Sequence, residues 1–154
     1  MTRAYVGLGA NLGDREGTLR SAVELLDAER DVSVVAVSQL RETEPVGLVE
    51  QPAFLNGAAA LDTDLSPAEL VRVLLDVERR LGRTREGPRW GPRIVDLDLL
   101  VHGDAVVDEP GVTVPHPRLA ERLFALEPLL ELAPDLVIPD VGPVREALAR
   151  LASS

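Results

Sequence analysis

The chain has no cysteine and no lysine. Without cysteine there is neither a disulfide framework nor a thiolate metal site. Without lysine there is no lysine-bearing phosphate loop and no Schiff-base chemistry. Aromatic residues are scarce, with two phenylalanines in 154 residues, so where those two stand carries weight. There is no apolar run of about eighteen residues and no basic-then-apolar N-terminus, so neither a membrane span nor a secretory signal is expected. The cytoplasm is the expected compartment. A formal net charge of −10 argues against partnership with nucleic acid or an anionic membrane. The length fits one domain, 1–154, and with no exposed apolar stripe evident a monomer is the plain expectation.

What is present is concentrated in one stretch, Arg89 to Val101. Ile94, Val95, Leu97, Leu99, Leu100 and Val101 read as a mostly buried strand bounded by Gly91-Pro92 and Gly103. Asp96 and Asp98 interrupt it. Side chains two apart share a strand face, so the two carboxylates project together with Cα atoms roughly 6–7 Å apart. Carboxylates that close repel unless a cation lies between them or one takes a proton. Hard divalent ions such as Mg²⁺ prefer such oxygen ligands. Asp62 and Asp64 repeat the spacing, but they stand where a strand runs out into Leu65-Ser66-Pro67, and solvated loop acids account for them.

Before this stretch, Ala4 to Leu8 reads as a strand and Gly9 to Gly13 as a loop, an ordinary turn in preference to a phosphate cradle. Asp14 caps a helix with Leu19, Ala22, Val23 and Leu26 on one face. A strand over Val32 to Leu40 leads into a loop, 41–52, long enough to be functional or disordered. Phe54 to Leu61 resumes a strand of small side chains, with Asn56 either satisfied by backbone or contacting a ligand. Ser66-Pro67-Ala68-Glu69 is a capping box for a helix with Leu70, Leu74, Val77 and Leu81 on one face, stopped by Gly82. Glu78 falls in its last turn, where an acid is usually just solvated but could serve a ligand.

From Arg79 to Arg93 six arginines fall in fifteen residues, among glycines and prolines. Arginine forks match phosphate oxygens, and the glycines and prolines mark a segment able to move. The alternative is a solvated basic loop paired with surplus acids. Further on, His116 stands between Pro115 and Pro117, a rigid setting for a donor to phosphate, although a lone histidine is more often structural; His102 is read as structural. Arg122 and Phe124 open a helical region to about Ala133 with a break at Pro128. A short strand at 136–138 and an amphipathic helix from Val144 to Leu151 follow. The order β-α-β-β-α-β with later additions predicts an α+β, ferredoxin-like antiparallel sheet covered by helices on one face. Paired strand aspartates, an arginine loop and a fixed histidine suit metal-assisted transfer of polyphosphate.

Arg89-Trp90-Gly91-Pro92-Arg93 followed by Asp96-Leu97-Asp98 is a highly specific combination. With Gly7 to Gly13, Gln51 to Asn56 and Val114-Pro115-His116, it closely resembles the 6-hydroxymethyl-7,8-dihydropterin pyrophosphokinases of folate biosynthesis, over nearly the whole chain. The resemblance implies transfer of pyrophosphate from MgATP to the pterin hydroxymethyl oxygen, releasing AMP. It implies that Asp96 and Asp98 ligate two Mg²⁺ ions. Arg83, Arg85 and Arg93 then face phosphate, Arg83 and Arg93 in catalytic roles, and Trp90 helps seal a closing loop over both substrates. Glu78, Leu99, Thr113, His116 and Arg122 fall at ATP-side positions. Phe54 and Phe124 resemble a ring-stacking pair for the pterin, with Thr43, Pro45, Val46 and Asn56 beside it. Both phenylalanines at stacking positions is more than core packing predicts. Glu44, Gly111 and Pro117 depart from the family pattern. The competing readings are a binding module without chemistry, since no general base stands next to the aspartates in sequence, and a metal-dependent phosphohydrolase.

Overall fold

Alternation along the first strand, β1 (Thr2–Ala10), decides the layering. Ala4, Val6, Leu8 and Ala10 are buried on one side, and Tyr5 belongs to a separate cluster on the other. The computed structural model describes residues 1–11, 13–43, 54–82 and 95–153. In chain order, β1 is followed by α1 (Arg15–Asp27), β2 (Val32–Val37), β3 (Arg41–Thr43), β4 (Phe54–Thr63), α2 (Pro67–Arg80) and β5 (Val95–His102). A hairpin of β6 (Val107–Glu109) and β7 (Val112–Val114), a 3-10 turn at Leu119–Glu121 and α3 (Leu123–Leu132) come next. A small ladder of β8 (Val137–Ile138) and β9 (Gly142–Pro143) precedes α4 (Val144–Ala152).

The main sheet runs β2-β4-β1-β5, with β3 also on β4, and its pairings are antiparallel. This is the α+β, ferredoxin-like arrangement expected from the element order. Leu19, Ala22 and Leu26 of α1 and Leu70, Leu74 and Val77 of α2 pack on the face presented by Val6, Leu8, Leu61, Val95, Leu97 and Leu99. The opposite face is covered as well, contrary to the one-sided expectation. Leu126 and Leu129 of α3, Val144 and Ala147 of α4 and Leu119 pack there against Tyr5, Ala60, Leu100 and Val101. That second layer reaches only part of the sheet, and the part it leaves bare bears the site.

Local signals explain the helix ends. Asp14 accepts from the Gly17 N–H at 3.0 Å, and Ser66 and Glu69 exchange side-chain-to-backbone bonds of 3.2 and 2.9 Å. The Ser66 N–H and hydroxyl hold the Glu69 carboxyl below its usual range. At the other end of α2, Gly82 takes φ +118°, a conformation that suits glycine at a helix stop.

Three expectations need correction. Asp62 is not a loop acid: β4 continues to Thr63, and Asp62 lies opposite Arg3 of β1, accepting from its Nε at 2.6 Å. That bond keeps the Asp62 carboxyl below the ordinary carboxylate range. Pro128 does not break α3, which runs on to Leu132. A proline there lacks the N–H that would bond the Phe124 carbonyl, yet Ala125, Leu126 and Leu129 are buried around it and hold the helix together. The strand expected over 32–40 stops at Val37, and β3 resumes on the same edge of β4. Among the described residues no helix is long and apolar enough to cross a membrane.

Candidate active site

Because Val95, Leu97 and Leu99 turn into the α1/α2 core, Asp96 and Asp98 must turn to the opposite face, as the two-residue period requires. The register places Gly9 of β1 beside Asp96 and Gly7 beside Asp98. Across β1, Gly9 faces Asn56 and Gly7 faces Ala58 of β4. The row Asn56–Gly9–Asp96 and its neighbour Ala58–Gly7–Asp98 therefore cross the sheet with no bulk in the middle. Absence of side chains at Gly7 and Gly9 leaves a cavity of about 300 Å³, bordered by Phe124 and Ala125 of α3.

Its walls gather residues from opposite ends of the chain: Thr43, Phe54 and Asn56 on one side, Asp96, Asp98 and Arg122 on the other. Asn56 is 8% exposed, and its Nδ2 donates to Thr43 Oγ1 at 2.5 Å. That bond leaves the Asn56 carbonyl oxygen on the Gly9 side, 3.0 Å from where a Cβ on Gly9 would stand. The Arg122 guanidinium lies 5.4 Å from the centre of the Phe124 ring, a cation–π contact that fixes the ring's attitude. Arg122, expected on the nucleotide side, lines this cavity and also acts electrostatically on His116.

A second cavity, about 460 Å³, runs along the outer edge of β5, between α2 and the segment from the β6–β7 hairpin to Pro117. Glu78, Leu99, Thr113 and His116 line it, as do Gly111 and Pro117. Glu78 is not solvated, as an acid in the last turn of a helix would ordinarily be: it is 3% exposed, and its Oε2 accepts from the Leu97 N–H at 2.7 Å. The His116 backbone N–H donates to the Leu100 carbonyl at 2.9 Å, tying the residue to β5. Its Nδ1 accepts from the Arg118 N–H at 3.1 Å, so the neutral ring carries its proton on Nε2. Burial pushes the His116 pKa down; Asp98 pulls against that, and Arg122 and Arg118 add to it. The ring is thus an uncharged Nε2–H donor at neutral pH.

Asp96 and Asp98 line both cavities and stand on their boundary. Among the described residues no group of three or more His, Cys, Asp or Glu side chains could hold a metal ion. Two carboxylates fit Mg²⁺ all the same, because that ion keeps several waters and takes its remaining ligands from substrate phosphates. The donor set suits a metal carried in with a nucleotide rather than one held in a protein cage. Of the residues expected at the site, Pro45, Val46, Arg83, Arg85, Trp90 and Arg93 lie outside the described residues. Gly7 and Gly9 are lining residues that the sequence did not announce, since a glycine in a strand declares its purpose only when its neighbours across the sheet are known.

Fold and site together define a class: an α+β domain with two adjoining cavities, one aromatic and one polar, that share a pair of acids. The family model described as 7,8-dihydro-6-hydroxymethylpterin-pyrophosphokinase matches residues 5–134, and the chain belongs to that family. A 2-amino-4-hydroxy-6-hydroxymethyldihydropteridine pyrophosphokinase of Methylorubrum extorquens is 49% identical over 154 residues, covering 100% of this chain and 96% of that protein. The Pseudomonas aeruginosa protein of the same name is 43% identical, over 96% of this chain and 90% of its own. Among solved structures, a Plasmodium falciparum HPPK-DHPS superposes with a TM-score of 0.76 at 12% identity, a likeness of fold. This chain spans 46% of that longer one.

Proposed function

We infer that the chain catalyses the reaction for which its family is named, transfer of a pyrophosphoryl group from ATP to the hydroxymethyl oxygen of 6-hydroxymethyl-7,8-dihydropterin. The products are the pterin diphosphate and AMP, and the reaction serves folate biosynthesis. The pterin oxygen bonds to the β-phosphorus of ATP, the bond from that phosphorus to the α–β bridging oxygen breaks, and AMP leaves with the electron pair. The hydroxyl proton passes to solvent.

The observation that carries the reading is the shared position of Asp96 and Asp98 between the aromatic and polar cavities. A donor and an acceptor that occupy adjoining cavities meet where those carboxylates stand. Phe54 and Phe124 offer faces to a flat pterin, and Asn56, held by Thr43, reads its polar edge. Thr113 and His116 serve the nucleotide side, His116 donating from Nε2 to a phosphate oxygen. Asp96 and Asp98 would hold two Mg²⁺ ions, which would supply positive charge against that of the phosphate oxygens. Most of the remaining work is positioning, which lowers the barrier without a dedicated general base. Arg83 and Arg93 act on the transferred phosphates, and Arg85 and Trp90 on the ATP side. The chain works as one pyrophosphokinase domain, 1–154, as a monomer in the cytoplasm. Chromatography of nucleotide products from ATP, Mg²⁺ and the pterin tests the reading: AMP must form, and only when the pterin is present.

A further inference from the structure

We infer that Glu78 is a positioning residue for the Asp96/Asp98 pair, acting through the backbone of β5. This rests on the reading that the two aspartates hold the metal that accompanies ATP. Among the described residues β5 is the edge strand of its sheet, paired with β1 on one side. An outward N–H on such an edge ordinarily goes to water. The Leu97 N–H instead donates to Glu78 Oε2 at 2.7 Å in a buried bond. That N–H belongs to the peptide joining Asp96 to Leu97, so its direction governs how the Asp96 side chain stands relative to Asp98.

The acid is kept there against two unfavourable terms. It is 3% exposed, and it sits in the last turn of α2, whose carbonyl ends repel negative charge. A charge-assisted N–H···O⁻ bond is strong and contributes to holding the carboxylate in such a place. Although Glu78 lines the same cavity as both aspartates, the three acids do not form a group that could hold a metal ion. Glu78 is turned to the strand that carries the ligands.

Glu78→Gln keeps an oxygen within reach of Leu97, whereas Glu78→Ala removes the acceptor. Two readouts independent of turnover apply to each variant: hydrogen exchange of the Leu97 amide by NMR, and Mn²⁺ binding by electron paramagnetic resonance with a non-hydrolysable ATP analogue. In Glu78→Ala the Leu97 amide exchanges about tenfold faster and the Mn²⁺ dissociation constant rises about tenfold. Glu78→Gln stays within about threefold of the parent in both, since the acceptor persists. Unchanged Mn²⁺ binding in Glu78→Ala overturns the inference. So does Glu78→Gln losing Mn²⁺ as fully as alanine while Leu97 stays protected, because the charge itself would then be the ligand. Should Glu78→Ala fail to fold, Glu78→Met, which fills the space without an acceptor, takes its place in both measurements with the same expected losses. Absence of AMP formation by the parent protein would defeat the pyrophosphokinase reading and leave the exchange and Mn²⁺ results to judge this one.

Discussion

Replacing Gly9 by alanine tests whether the empty middle of the sheet is what shapes the pterin cavity. Neither Gly9 nor Gly7 takes a positive φ, so the backbone accepts alanine at both. A Cβ on Gly9 would stand 3.0 Å from Asn56 Oδ1 and 3.9 Å from Phe54 Cδ1. The first distance obliges Asn56 to move by a few tenths of an ångström. Asn56 is not free to do so, because its Nδ2 donates to Thr43 Oγ1 at 2.5 Å within a mostly buried setting. Weakening one such bond costs about 0.5–1.5 kcal/mol. At 1.4 kcal/mol per tenfold, pterin affinity falls by about three- to tenfold. Folding stability stays within about 1 kcal/mol of the parent, since the preference of a strand for alanine over glycine, about 0.5–1 kcal/mol, offsets most of that cost. Gly7→Ala is the matched control: its Cβ would meet the Leu100 side chain at 3.4 to 3.6 Å, ordinary contact. There pterin affinity changes by less than about threefold. Calorimetric titration of pterin in the presence of an ATP analogue, with a melting curve for each variant, measures both quantities. Equal losses at the two glycines, or a loss of ATP affinity in place of pterin affinity, would refute the reasoning.

Other substitutions separate the parts of the site. Asp98→Ala lowers turnover by about a thousandfold, about 4 kcal/mol, through loss of metal charge at the phosphates. Its melting temperature holds, because one of two repelling carboxylates has gone; a normal rate in a steady-state assay would contradict this. Phe124→Ala weakens pterin binding by about three- to tenfold, from the stacking term of about 0.5–1.5 kcal/mol, and leaves ATP affinity in place, as paired titrations would show. Ser66→Ala opens the capping box at a residue that lines neither cavity and costs about 1 kcal/mol of stability. For a chain of this size that lowers the melting temperature by about 2–4 °C, while both Michaelis constants stay unchanged.

The legible part of this site is the part that obeys a period. Asp96 and Asp98 could be placed on one strand face from spacing alone, and the apolar residues around them told which face they had to avoid. The capping box and the Asp14 cap were equally readable, because their partners lie three residues away. The bond from Leu97 to Glu78 was not legible, since Leu97 lies nineteen residues further along and belongs to a different element. Asp62 was misread for a similar reason: Arg3 stands opposite it only once β1 and β4 are paired. Gly7 and Gly9 matter for the volume they leave empty, which no local pattern encodes. The placement of α3 and α4 on the second face was likewise hidden. Helical spacing tells which residues face a core without telling which side of a sheet offers one.

Incubation of the protein with ATP, Mg²⁺ and 6-hydroxymethyl-7,8-dihydropterin, with nucleotides resolved by chromatography, tests the account most directly. It predicts AMP and pterin diphosphate in equal amounts, neither formed when the pterin or Mg²⁺ is left out. ADP as the product, or nucleotide cleavage that proceeds without the pterin, would contradict it.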